Sequence, residues 1–148
     1  ILNTSGEQFN KGLEKKPFLA KPDIRKSNKV FGIEINKKEN AIDAAKEIVA
    51  RGAEISVVSF EQEKDVIATK NNIWFTESTH HKIVNLIGAG DALVAGFAVS
   101  ITEGNKSLDE TIKFSMSCAL ASALCEEEEF DSRKQADECS KYIQIKKL

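Results

Sequence analysis

The residues best suited to chemistry lie in one stretch, Asn85-Leu86-Ile87-Gly88-Ala89-Gly90-Asp91-Ala92-Leu93-Val94-Ala95-Gly96-Phe97. Three small residues, Gly88, Ala89 and Gly90, run straight into an acid, Asp91, and an apolar helical pattern follows at once. Glycine lets a backbone approach a ligand closely and take conformations that a side chain forbids. A helix that opens here presents first-turn N–H groups without intrahelical partners, and these attract anions. Asp91 then stands beside the anion. Donors for a developing charge next to a carboxylate base are what phosphoryl transfer to a hydroxyl needs. The stretch is not a dinucleotide fingerprint, since Leu93 occupies a position that requires a small residue. It is not a Walker loop either, since no Gly-Lys-Ser/Thr follows.

The elements that must position these residues alternate between strand and helix. Ile1 to Asn3 reads as a strand end, and Thr4-Ser5-Gly6-Glu7 as a turn into a helix with Ser5 as N-cap and Gln8 completing a capping box. That helix runs to about Lys16, where Pro17 stops it. Phe18-Leu19-Ala20 is a short buried strand before Lys21-Pro22-Asp23, and a short helix is expected from Asp23 to Phe31, ending at Gly32. Asn40 to Arg51 is amphipathic and helical, with Gly52 closing it. Ile55 to Ser59 is a β-branched run of central, parallel character. Val66 to Thr69 and Ile73 to Phe75 flank Lys70-Asn71-Asn72 as a hairpin, and Ile83-Val84 is a further short strand. Helices are expected from Ala89 to Thr102, from a Ser107–Glu110 capping box onward, and from Ser132 to Ile143. This pattern predicts an α/β fold with a mostly parallel sheet. In such sheets ligands gather at the carboxyl ends of strands, where Lys21, Ser59 and the glycine stretch all fall.

Composition sets further limits. The chain has 148 residues, 41% of them hydrophobic, and a net charge of −2. That suffices for one domain with a real core, and gives no long-range attraction to nucleic acid or an anionic membrane surface. No apolar run approaches the ~20 residues of a membrane span. The three cysteines, Cys118, Cys125 and Cys139, form no Cys-x-x-Cys pair, so reduced thiols and a cytoplasmic location are expected. Cys118 and Cys125 are expected on one buried helix face. The chain opens on Ile-Leu in what reads as a strand end, so a fragment of a longer protein is expected.

Asn85 to Phe97 resembles the second signature of the ribokinase-like (pfkB) carbohydrate kinase family, the group that holds 1-phosphofructokinase and tagatose-6-phosphate kinase. Thr4-Ser5-Gly6-Glu7, Lys21-Pro22-Asp23, Val57-Val58-Ser59 and Ile73-Trp74 fall in that family's order and spacing. The likeness covers nearly the whole chain and thins after Glu126. It implies a three-layer α/β/α fold, of which residues 1–148 would be the C-terminal, ATP-binding and base-carrying portion. The N-terminal sugar-binding half and lid would be absent. It implies ATP-dependent phosphorylation of a hydroxyl of a sugar phosphate, of the fructose 1-phosphate or tagatose 6-phosphate type. Asp91 would be the catalytic base, and Gly88, Ala89 and Gly90 the anion hole. Lys21, Asp23 and Ser59 would lie with Gly88 and Gly90 around the nucleotide. Magnesium would accompany ATP, held by phosphates and water rather than by a protein metal site. A homodimer is implied for the longer protein.

The chain departs from the family pattern at defined places. Lys26 stands where the family's Asn-x-x-Glu element has its acid. Glu61-Gln62-Glu63-Lys64 replaces a Gly-x-x-Gly turn, Leu86 stands where a small or β-branched residue is usual, and Ala119 stands where a glycine is common. These changes motivate an alternative, a non-catalytic member that binds a nucleotide or a partner; a kinase of another small molecule is a third reading. Blander roles stand beside the chemical ones: Lys21 as a solvated lysine, Ser59 as a strand-end hydroxyl, Trp74 as hairpin packing, His80-His81 as surface loop, and Glu126 to Glu129 as a solvated helix end.

Overall fold

The computed structural model describes residues 1–61, 63–79, 82–126 and 132–148. The expectations for His80-His81 and for Glu127 to Glu129 lie outside the described residues. The chain forms two compact units, Ile1–Thr76 with Lys146–Leu148, and Glu77–Ile145.

The first unit is built from strand–helix–strand steps. Strand β1 (Leu2–Thr4) leads through helix α1 (Gly6–Leu13) to β2 (Leu19–Pro22). A small hairpin of β3 (Lys29–Val30) and β4 (Ile33–Glu34) follows, then helix α2 (Lys38–Ala50) and strand β5 (Ile55–Phe60). Strand β6 (Lys64–Ala68) returns antiparallel to β5, and β7 (Ile73–Ser78) starts in this unit and runs across its boundary. β1, β2 and β5 are parallel, in the register Leu2↔Ala20 and Leu19↔Ile55. Hydrogen-bonded neighbours in the sheet run β1-β2-β5-β6-β7-β8, where β8 is Ile143–Lys147. The α/β expectation holds, with the parallel ladder at β1, β2 and β5.

Side-chain alternation divides the strands between two faces. Ala20, Val58, Phe60, Val66 and Ala68 pack with Phe9 and Leu13 of α1 and with Ala41, Ala44, Ala45 and Ile48 of α2. Alanines on α2 let the helix lie close to the sheet. The buried Ser56 hydroxyl donates to the Ala45 carbonyl at 2.8 Å, so its burial leaves no polar group unmet.

Several local expectations were corrected. Ser5 is the N-cap of α1, but its side chain makes no capping bond, and α1 ends at Leu13 rather than Lys16. Phe18 is 40% exposed and precedes β2 instead of opening it. The helix expected from Asp23 to Phe31 is absent. In its place β3 and β4 pair antiparallel through Phe31 and Gly32, at φ 50 and 82. Two successive positive φ values are the requirement of a tight hairpin turn, and phenylalanine at the first of them gives no sequence signal. The Lys70-Asn71-Asn72 hairpin does form, closed by Thr69 N–H donating to the Asn72 carbonyl at 2.9 Å.

The second unit is helical: α3 (Ala89–Glu103), α4 (Leu108–Ala123) and α5 (Arg133–Cys139), then a 3-10 turn into β8. The final helix is thus shorter than expected: Ser140 to Tyr142 form the 3-10 turn and β8 begins at Ile143. Gly104, at φ 67, closes α3. Ser107 and Glu110 form the expected capping box on α4: Ser107 N–H donates to Glu110 Oε2 at 2.8 Å, and Glu110 N–H donates to Ser107 Oγ at 3.3 Å. Ser107→Ala is expected to lower stability by about 1 kcal/mol, read as a shift of the urea midpoint at constant slope. All three cysteines are free thiols; Cys118 is buried, whereas Cys125 lies past the end of α4 and is only partly covered.

Candidate active site

The start of α3 is shaped by bonds to α4. The Val84 and Asn85 amides both donate to the Ala123 carbonyl in the last turn of α4, at 2.9 and 3.1 Å. This bonding takes the place of the strand expected at Ile83-Val84. Asn85 Oδ1 accepts from the Ile87 amide at 3.0 Å, a side-chain turn that directs the chain toward the glycines. Gly88 then caps α3 at φ 83, a left-handed conformation that residues with a Cβ rarely adopt. Ala92 N–H donates to the Gly88 carbonyl at 2.8 Å as the first helical bond. The Ala89 amide donates to the Leu86 carbonyl at 3.3 Å, and the amides of Gly90 and Asp91 follow it in the opening turn, where the helix carries its partial positive charge. Asp91 is exposed in that turn, and Gly88, Ala89 and Gly90 are partly covered. A helix opened by a left-handed glycine with a carboxylate in its first turn is the arrangement that the sequence led one to expect here.

The other expected site residues lie in the first unit. Lys21 sits in β2 and is only 9% exposed, so it is not a solvated loop lysine. Ser59, near the end of β5, donates its hydroxyl proton to Asp65 Oδ1 at 2.5 Å. Ser59 and Asp65 are direct cross-strand partners. Their neighbours Val58 and Val66 face α2, as does Ala20 beside Lys21, so Lys21, Ser59 and Asp65 share the opposite face of the sheet. Asp23 takes a different course. Its carboxylate accepts from Arg25 Nε at 2.9 Å and from the second guanidinium nitrogen at 2.8 Å. The Arg25 guanidinium holds the Asp23 carboxyl at about 2, well below the usual range.

Asp65 was not anticipated as a site residue. The signal that could have found it is parity: an acid in phase with Ile67 on a β-branched strand points to the same side as a buried residue. Burial pushes its carboxyl above the ordinary value of 3.8, while the Ser59 hydroxyl and the Lys21 charge pull the other way. The folded state therefore binds this proton more tightly than the unfolded chain does. The Asp65 contribution to stability is full below pH 3.8 and declines as pH rises toward the raised folded value. At neutral pH the neutral isostere, Asp65→Asn, is expected to raise the thermal midpoint. The turn before Asp65 keeps a glycine-like backbone without glycine: Glu61 and Glu63 lie at φ 53 and 66. Lys64 donates to Glu61 Oε2 at 2.6 Å, which offsets part of the acidic charge there.

An α/β chain with parallel strands and a glycine turn opening a helix onto a carboxylate is of the class that handles phosphate groups at helix starts. The sequence profile of the pfkB family carbohydrate kinases matches residues 1–134, and the chain belongs to that family. It is similar to the 1-phosphofructokinase of Bacillus subtilis, 35% identical over 127 residues that make up 86% of this chain and 42% of the relative. An ATP-dependent 6-phosphofructokinase isozyme 2 of Mycobacterium tuberculosis is 32% identical over 70% of this chain and 31% of its own. Among solved structures, phosphofructokinase-2 from Escherichia coli in complex with potassium superposes with a TM-score of 0.82 at 25% identity, covering 95% of this chain and 46% of that one. The chain thus spans less than half the length of each of these relatives.

Proposed function

We propose that the chain is the C-terminal portion of a kinase that transfers the γ-phosphoryl group of ATP to a hydroxyl of a sugar phosphate, of the fructose 1-phosphate or tagatose 6-phosphate type. The observation that carries the reading is Asp91 in the first turn of a helix capped by a left-handed glycine. Asp91 takes the proton of the acceptor hydroxyl as its oxygen bonds to phosphorus and the bond to the ADP oxygen breaks. The opening-turn amides of α3 meet the charge that grows on the transferring group. Lys21 serves as a compact positive charge for nucleotide phosphate. Magnesium would enter with the nucleotide, held mainly by phosphate oxygens and water. The segment by itself is expected to turn over little, since the sugar-binding half belongs to the longer protein, which we read as a homodimer.

The test is ADP release by the intact protein with ATP, magnesium and each of the two sugar phosphates. Turnover with one of them and none with unphosphorylated fructose is expected. Turnover with a nucleoside or a vitamin alone would move the acceptor class. One observation favours a second reading, binding without chemistry: Glu61 and Glu63 occupy the turn where the family's glycines admit phosphate. Calorimetry with Mg-ATP separates the two, since heat of binding with no ADP formed in the presence of acceptor supports that second reading.

A further inference from the structure

Strand register sets Ser59 of β5 directly across from Asp65 of β6. The neighbouring pairs, Val57↔Ile67 and Val58↔Val66, are wholly buried and fix that register. The Asp65 carbonyl also accepts from the Thr76 hydroxyl of β7 at 3.4 Å. Asp65 is only 5% exposed, whereas Ser59 is partly covered, so Ser59 is the member of the pair that a ligand can touch. Its hydroxyl donates to Asp65 Oδ1 at 2.5 Å. A serine hydroxyl has one proton and two lone pairs. With the proton committed to Asp65, Ser59 Oγ has only acceptor capacity left toward a ligand. Asp65 Oδ1 can accept that proton whether or not the carboxyl is ionised, so the arrangement does not need a charge on Asp65. A phosphate oxyanion offers no proton and finds no hydrogen bond at such an oxygen.

We propose that Asp65 is a positioning residue that sets the specificity of Ser59. It holds the hydroxyl as an acceptor for a neutral donor of the nucleotide, a ribose hydroxyl or the amino group of the base, and turns it away from phosphate. The proposal rests on the reading of Ser59 as a residue beside the nucleotide. Ser59 then reads the nucleoside and contributes nothing to holding the phosphates. Without the Asp65 acceptor, the same hydroxyl is free to donate and loses this preference.

The experiment is calorimetric titration of the intact protein with ADP, 2′-deoxy-ADP, 3′-deoxy-ADP and IDP, whose base carries a carbonyl in place of the amino group. Magnesium is left out, so that metal-bound water is not among the donors. One analogue is expected to bind about 3- to 10-fold more weakly than ADP, the scale of one hydrogen bond, and its identity names the donor. In Ser59→Ala, ADP weakens and that analogue binds as well as ADP. Asp65→Asn still offers Oδ1 to Ser59 and keeps the preference, whereas Asp65→Ala loses it. A merely structural role for Asp65 would shift ADP and the analogue together; an unchanged ratio in Asp65→Ala overturns the proposal. Four nucleotides of equal affinity in the wild type overturn it with no variant needed. ADP affinity unchanged in Ser59→Ala overturns the reading of Ser59 as a nucleotide contact. ADP weakened there with the analogue preference intact overturns only the acceptor role that Asp65 imposes.

Discussion

Replacing Asp91 by Asn is expected to lower turnover with ATP and sugar phosphate by about 10²–10⁴-fold, the usual contribution of a positioned base. The amide matches the carboxylate in size and cannot accept the hydroxyl proton. Asp91 is exposed at the start of α3, with no core packing to lose. Far-UV circular dichroism and the unfolding midpoint are therefore expected to stay close to wild type. The KM for nucleotide should change little, because the loss falls on the transition state. Activity within a few fold of wild type would remove Asp91 from the role of base.

Gly96→Ala is expected to lower stability by about 1–3 kcal/mol, the range of an overpacked contact. Helix propensity by itself argues the other way, since alanine within a helix is better than glycine by about 1 kcal/mol. The geometry decides the sign. A Cβ at Gly96 would lie 2.7 Å from Ser115 Cα, 3.3 Å from Ser115 Cβ and 3.2 Å from Cys118 Sγ. The first of these is backbone in the middle of α4, so relief requires α3 and α4 to separate. Gly12 in α1 serves as the control. Its added Cβ would meet the tip of the Leu2 side chain at 2.5 Å, and that tip can swing away. Gly12→Ala is expected to be near neutral by chemical denaturation. A stabilising Gly96→Ala would mean that the two helices do not approach as described.

Much of the site was legible because its signals are local. A helix start needs an N-cap, first-turn amides and an apolar repeat, and all three fall within the residues from Gly88 to Phe97. The Ser107–Glu110 box spans a single turn and formed as read. The β5 run and the Asn-rich hairpin were legible for the same reason, since β-branched side chains and turn residues act on their own backbone. The partner of Ser59 was not legible. Nothing near Ser59 in sequence names Asp65, because their contact depends on the register of β5 against β6.

Sequence by itself determined the α/β alternation, the glycine–acid turn at α3 and the family to which these belong. Each follows from spacing along the chain, and spacing survives without a fold. Only the tertiary structure decided that Ile83-Val84 bonds to the end of α4 instead of forming a strand, and that Phe31-Gly32 turns a hairpin where a helix was expected. It also decided that a buried carboxyl on the neighbouring strand β6 takes the Ser59 hydroxyl. At Ile83-Val84 the competing local preferences differ by about 1 kcal/mol, and the bonds to Ala123, far along the chain, are enough to reverse them.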